Sequence, residues 1–156
     1  MPTPEQSRAL ERMRSTARDL VSLVSTASGA SLRHSPPAGE WTPALILVHL
    51  ADAELVYAVR LRKVVAEHRP QLAAYDENAW AERFADLDDD PKDSLVRFRV
   101  LREATLALLD SIDAEEWKRV GIHEQRGDQT VEEIVVLLAD HDRNHLTQLR
   151  QALSTA

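Results

Sequence analysis

Cysteine is absent from the 156 residues. That excludes a disulfide framework, a thiolate metal site and a cysteine nucleophile, so any thiol chemistry needs a thiol carried in by a substrate or cofactor. Glycine is scarce, at 4 residues, and aromatics make up only 4%. Ala, Leu, Val, Glu and Arg dominate instead, a mix that favours helices over sheets. No long apolar run exists: the best, Ala44 to Val59, is broken by His49, Asp52 and Glu54, which rules it out as a membrane span. A basic excess is missing too. The formal charge is −7, which argues against a nucleic-acid backbone as the main partner. No basic segment followed by an apolar core opens the chain, so a secretory signal is not expected. The default expectation is a cytoplasmic single domain over residues 1–156, acting on a small molecule and not on a membrane.

What is present is helical periodicity. Leu10, Met13, Ala17, Leu20 and Val24 recur at steps of three and four, which predicts a first helix from about Pro4 to Ala27. Thr42-Pro43, an N-cap residue followed by proline, announces a second helix that runs to about Glu67. A third is expected from about Pro91 to Asp110, with Asp88-Asp89-Asp90 read as cap and macrodipole complement. Thr130-Val131-Glu132-Glu133 is a capping box that opens a last helix reaching about Leu153. Residues 70–90 make a long acidic connection, expected to be partly helical or functional. The polar stretch Arg119 to Asp128 reads as a loop or small hairpin. The fold class is therefore all-α, a four-helix bundle with a long connection between its second and third helices.

The last helix carries His141 and His145 at a spacing of i, i+4, which stacks their imidazoles on one face. That face is the apolar one, among Ile134, Leu137, Leu138 and Leu149, while Glu132, Glu133, Asp140, Arg143 and Arg150 take the opposite side. Imidazoles on a face meant for burial must find partners there. Chelation of one ion answers that need, and so does a hydrogen-bonded polar core; on the pair alone both readings stand. The second helix adds His49 and Arg60 in the middle of its apolar arc and Asp52 on its shoulder. Mutual salt-bridging and a functional site both account for Asp52 and Arg60.

A longer pattern runs through about 110 residues. It comprises Trp41, His49-Leu50-Ala51-Asp52, Arg60, Pro70, Tyr75-Asp76-Glu77, Trp80, Ser94-Leu95, Leu101-Arg102, His123-Glu124 with Gly127, and His141 with His145. In this order and spacing the chain resembles the DinB-like superfamily, and within it the YfiT-like group of metal-dependent hydrolases and bacillithiol transferases. The resemblance implies that His49, His141 and His145 bind a divalent transition metal, zinc or nickel foremost. Three neutral imidazoles suit such ions better than Mg or Ca, and three protein ligands leave a position open, as catalytic sites do. It further implies His123 as a pocket or surface residue in the loop before the last helix. Asp52 and Asp142 are candidates to orient imidazole N–H groups. Tyr75, Asp76 and Trp80 are candidate pocket walls, with Trp80 equally a packing anchor. The implied reaction joins a low-molecular-weight thiol such as bacillithiol to an electrophile, or hydrolyses a bond with the same ligands. The competing expectation is a non-catalytic metal-binding bundle, and exposed bundle faces point to a homodimer.

Overall fold

The computed structural model describes residues 1–156. Four long helices carry the architecture: α1 (Pro4–Ser25), α3 (Pro43–Ala66), α5 (Lys92–Ser111) and α6 (Val131–Ser154). A single turn, α2 (Gly29–Leu32), links the first two, and α4 (Glu77–Phe84) lies in the long connection. Three short strands, β1 (Gln71–Leu72), β2 (Val120–His123) and β3 (Gly127–Thr130), complete the chain.

The helix starts follow from their caps. Thr3 with Gln6 and Thr130 with Glu133 form capping boxes for α1 and α6, and the Thr42 hydroxyl accepts from the Leu45 N–H ahead of Pro43. The start of α5 differs from the expected Asp cap. Pro91 occupies the N-cap position without a side-chain hydrogen bond, while Asp90 Oδ1 accepts from Lys92 N at 2.9 Å. Asp88 is instead gripped by the fork of Arg97, at 2.6 and 2.9 Å, and by the Ser94 hydroxyl.

Each long helix packs against two others: α1 on α5 and α6, α3 on α5 and α6. Gln6 meets Glu132, Arg12 meets Asp140 and Asp19 meets Arg150, so α1 and α6 run parallel. Likewise Glu54 meets Arg102 and Arg62 reaches the Ala104 carbonyl, which places α3 and α5 parallel. Parallel neighbours cannot be joined by a tight turn, and this accounts for the length of residues 67–91.

Two apolar clusters fill the core. One gathers Leu10, Met13, Leu61, Val64, Leu109, Val131, Val135 and Leu138; the other gathers Leu20, Ile46, Leu50, Phe98, Leu146 and Leu149. Between them every long helix contributes a buried polar residue: Thr16, Glu54, Arg102 with Thr105, and Asp142. That polar layer is where the candidate site lies.

The bundle also carries a small sheet of order β1-β2-β3, in which β2 pairs parallel with β1 and antiparallel with β3. The hairpin turns at Gly127, whose φ of +75° suits glycine. Gly121 presses against α3 and β1: a Cβ there would stand 2.6 Å from Val64 Cγ2 and 2.7 Å from Leu72 Cδ1. Arg119 donates to the carbonyls of Val64 and Glu67, tying β2 to the C-terminal end of α3. The hairpin is thereby fixed over one end of the α3–α6 groove. No helix is long and apolar enough to cross a membrane.

Candidate metal centre

Where α3 and α6 cross antiparallel at the polar layer, His49, His141 and His145 converge. One nitrogen from each ring lies within 4.8 Å of the others, and the Nε2 atoms of His49 and His141 are 2.9 Å apart. Ring centroids are separated by 4.4 to 5.0 Å. His49 is buried, and the two α6 histidines are partly so. Trp41, just before the Thr42 cap, closes one side: its ring stacks within 5° of the His145 plane at 6.2 Å and meets His49 edge-on at 5.1 Å.

The outer nitrogens of the α6 pair are held. His145 Nδ1 is 2.8 Å from Gln148 Oε1, and His141 Nδ1 is 3.3 Å from Asp142 Oδ1. Both contacts leave Nε2 free to face the cluster, the arrangement usual for ligating histidines. Burial, then the neighbouring His145 and His141 rings, push His49 down to about 3. Burial first and His141 second also lower His145, against the upward pull of its Gln148 hydrogen bond. These two rings are therefore neutral at pH 7, the form that donates to a metal. A neutral three-imidazole set is chemically suited to Zn, Ni, Cu or Fe(II).

The same depressions predict an acid-sensitive fold. Below the ordinary histidine pKa of about 6.5, the unfolded chain takes up protons that the folded chain refuses. Stability is thus full above that value and falls as the pH drops toward the folded pKa. Thermal unfolding in metal-free buffer should show Tm decreasing from pH 6.5 to 5, above the range where Asp carboxylates titrate. Replacing both His49 and His145 with leucine should flatten that profile; an equally steep slope in the double variant would contradict the assignment.

Asp142 belongs to a second, fully buried group. Arg102, 1% exposed, donates from Nη2 to Glu54 Oε2 at 2.7 Å and to Asp142 Oδ2 at 2.5 Å, and from Nη1 to the Met13 carbonyl at 2.9 Å. Its Cζ lies 4.7 Å from the Phe98 ring centroid. Burial alone would lower the Arg102 pKa, but the Asp142 and Glu54 carboxylates outweigh it and hold the guanidinium charged. Burial would raise Asp142; Arg102 and the His141 hydrogen bond hold it below the ordinary carboxylate value. One Asp142 oxygen thus serves the arginine and the other serves His141.

Near the histidines, though lined by none of the three, is a pocket of about 240 Å³ bordered by Tyr57, Arg60, Tyr75, Glu77, His123 and Arg126. Tyr57 links the two, its ring 6.5 Å from that of His141. A larger, more apolar groove of about 770 Å³ runs outside α3 along Val56, Val59, Leu72 and Trp80 and contains none of the three histidines.

The remaining sequence candidates separate. His123 is buried at the end of β2, and its Nδ1 accepts the N–H groups of Gln125 and Arg126, so it lines the pocket and is not a surface residue. Arg60 and Tyr75 border both cavities. Trp80 packs on Tyr75 at 4.9 Å and walls the outer groove. Asp76 borders neither of these two cavities; its Oδ1 caps α4 by accepting from Ala79 N at 2.9 Å. Asp52 makes no hydrogen bond to an imidazole. Its strongest charged neighbours are Arg97 and Asp88, its Oδ2 is sealed without a partner, and burial raises its pKa. At i+3 from His49 it points past the cluster toward α5. Four residues outside the candidate set matter as well: Gln148, Glu54, Arg102 and Tyr57. Spacing was a usable signal for Gln148, three residues from His145 on the same helix.

The family pattern of the DinB superfamily matches residues 9–149. The chain belongs to the DinB superfamily. Among its relatives in that superfamily, an Oceanobacillus iheyensis protein is 27% identical over 71% of this chain and 64% of its own length. YfiT of Bacillus subtilis is 28% identical over 72% of this chain and 64% of its own length. A Bacillus cereus protein is 30% identical over 74% of this chain and 68% of its own length. All three are described as candidate metal-dependent hydrolases. The matched segment therefore spans just under two thirds of the first two. The solved structure of YfiT superposes with a TM-score of 0.86 at 23% identity, covering 97% of this chain and 88% of that one. Its described fold, an unusual four-helix bundle, is shared by this DinB-superfamily chain.

Proposed function

We propose that this chain is a metal-dependent enzyme in which His49, His141 and His145 hold one divalent transition ion, zinc or nickel, and which joins a low-molecular-weight thiol such as bacillithiol to an electrophilic substrate. The observation that carries it is the convergence of three imidazole nitrogens within 4.8 Å from two distant segments. The relatives described as metal-dependent hydrolases lend support. An ion held there supplies Lewis acidity that makes a thiol or a water nucleophilic near neutral pH.

The chain's own residues supply the rest. Burial keeps His49 and His145 deprotonated, and Asp142 and Gln148 aim the α6 imidazoles inward. Trp41 shields one flank from water. No side chain of this protein carries a thiol, so in this reaction the thiol is a co-substrate. In the transfer a carbon–sulfur bond forms, a carbon–halogen or similar bond breaks, and the leaving group and the thiol proton pass to solvent. Hydrolysis with the same ligands is the second reading, favoured by the descriptions of the relatives.

The test is turnover by protein loaded with zinc or nickel, using bacillithiol or glutathione with a halogenated dinitrobenzene, and in parallel an activated ester. Metal-dependent conjugate formation, lost in His141→Ala, is the expected result. Ester cleavage without conjugation would establish the hydrolase. Full metal occupancy with neither reaction would contradict both and leave a non-catalytic bundle.

A further inference from the structure

Two guanidinium groups are buried in this protein, and only one has its counter-charge. Arg102 faces two carboxylates. Arg60, 7% exposed, has none within ion-pair distance; its one hydrogen bond runs from Nη2 to the Ala73 carbonyl at 2.6 Å. Its Nε is sealed without a partner, and its Cζ sits 5.2 Å from the Tyr57 ring centroid. A buried cation left this way is costly unless something supplies negative charge.

The walls of the smaller pocket do not supply it. They add a second cation, Arg126, which is exposed and makes no side-chain hydrogen bond, against one carboxylate, Glu77, that pairs with neither arginine. Two further donors face the same space. His123 accepts backbone N–H groups at Nδ1, which puts its proton on Nε2, where it has no partner. The Tyr75 hydroxyl is buried and unpaired. Unspent donors and positive charge thus gather in one cavity of a chain whose net charge is −7.

We propose that this cavity is an anion subsite that takes the carboxylate of a small-molecule substrate, anchored by Arg60 with Arg126 and His123 as secondary donors. The planar guanidinium matches a planar carboxylate. Arg60, Ala74 and Tyr75 also border the apolar groove of about 770 Å³, so the acid that fits carries an apolar body. The assignment of this acid as a substrate rests on the three-histidine reading, because Tyr57 joins the subsite to His141; the binding itself does not.

The probe is benzoate, titrated calorimetrically and by thermal shift at constant ionic strength, with benzamide as the uncharged control. Saturable binding of benzoate but not benzamide is expected. Arg60→Met should weaken it by about tenfold or more, as loss of a charged hydrogen-bonding partner does, with Arg126→Ala weakening it severalfold. Arg60→Lys should fall between, and if Arg60→Met fails to fold, Arg60→Lys and Arg126→Ala carry the comparison. The His141→Ala variant should bind benzoate like the parent protein, so loss of the metal reading would leave the subsite intact. Equal affinity for benzamide, or benzoate titrations unchanged by Arg60 and Arg126 substitutions, would overturn the proposal. With turnover in hand, the reactant whose KM rises in Arg60→Lys identifies whether the electrophile or the thiol bears the carboxylate.

Discussion

Arg102→Met should cost about 3–5 kcal/mol of folding stability, the figure typical for breaking a buried ion group by removing one partner. Arg102 is 1% exposed and is the only cation contacting Glu54 and Asp142, themselves 0% and 1% exposed. Without it two carboxylates share a dry layer between apolar clusters, and one must take up a proton or the layer must open. The loss should therefore be pH-dependent. In the parent protein Asp142 is held below its ordinary value, so its stabilisation is present at neutral pH and is lost only as the pH falls below about 3.9. In the variant the sign reverses, because a buried carboxylate without its arginine titrates higher and protonation relieves it. The gap between the two proteins, measured by urea denaturation, should narrow from pH 7 to 5. A constant gap of under 1 kcal/mol would show that the layer is wetter than its burial indicates. Replacing all three groups with apolar residues of similar volume is often neutral or stabilising. Their charge is then better explained by position: Asp142, pinned by Arg102, is the group that orients His141.

The second large effect concerns metal affinity, and its size should grade with distance from the proposed ion. Alanine at His49, His141 or His145 removes a ligand and should lower affinity by well over the roughly 10–100-fold typical of an orienting partner. Gln148→Ala frees His145 Nδ1 without touching a ligand atom and should stay within that 10–100-fold range. Competition against a chromophoric chelator reads both. The ligand variants should keep their helical content, since the histidines lie beside the two apolar clusters and belong to neither. Equal losses for Gln148→Ala and His141→Ala would contradict the graded picture.

Much of this arrangement was legible in the sequence, for identifiable reasons. Thr42-Pro43 and Thr130 to Glu133 mark helix starts because a side-chain oxygen and a proline satisfy or replace orphan N–H groups locally. His141 and His145 stand out because i, i+4 spacing puts both imidazoles on the apolar face, where each needs a partner. Other features depend on partners distant in sequence. An amphipathic stripe says which face of α3 is buried but not that α5 lies parallel to it. Strand β1 is two residues long and exists only because β2 pairs with it, so it leaves no periodic trace. Glu54 and Arg102 do not read as core residues because charged residues usually lie outside, although each falls in register with an apolar stripe: Leu50, Glu54, Tyr57 and Leu61 on α3, and Leu95, Phe98, Arg102, Thr105 and Leu109 on α5. The stripe was the better guide than the charge. Asp76 is the opposite case, a residue whose observed contact is entirely local, the cap of α4.

The most direct test of the proposed metal centre is X-ray absorption at the zinc or nickel edge, with metal content measured on the same sample. One ion per chain, bound by three imidazole nitrogens at about 2.0–2.1 Å, is the expected result, with that signature lost in His49→Ala. A chain that stays metal-free in excess zinc and nickel, or an ion surrounded only by oxygen, would contradict it.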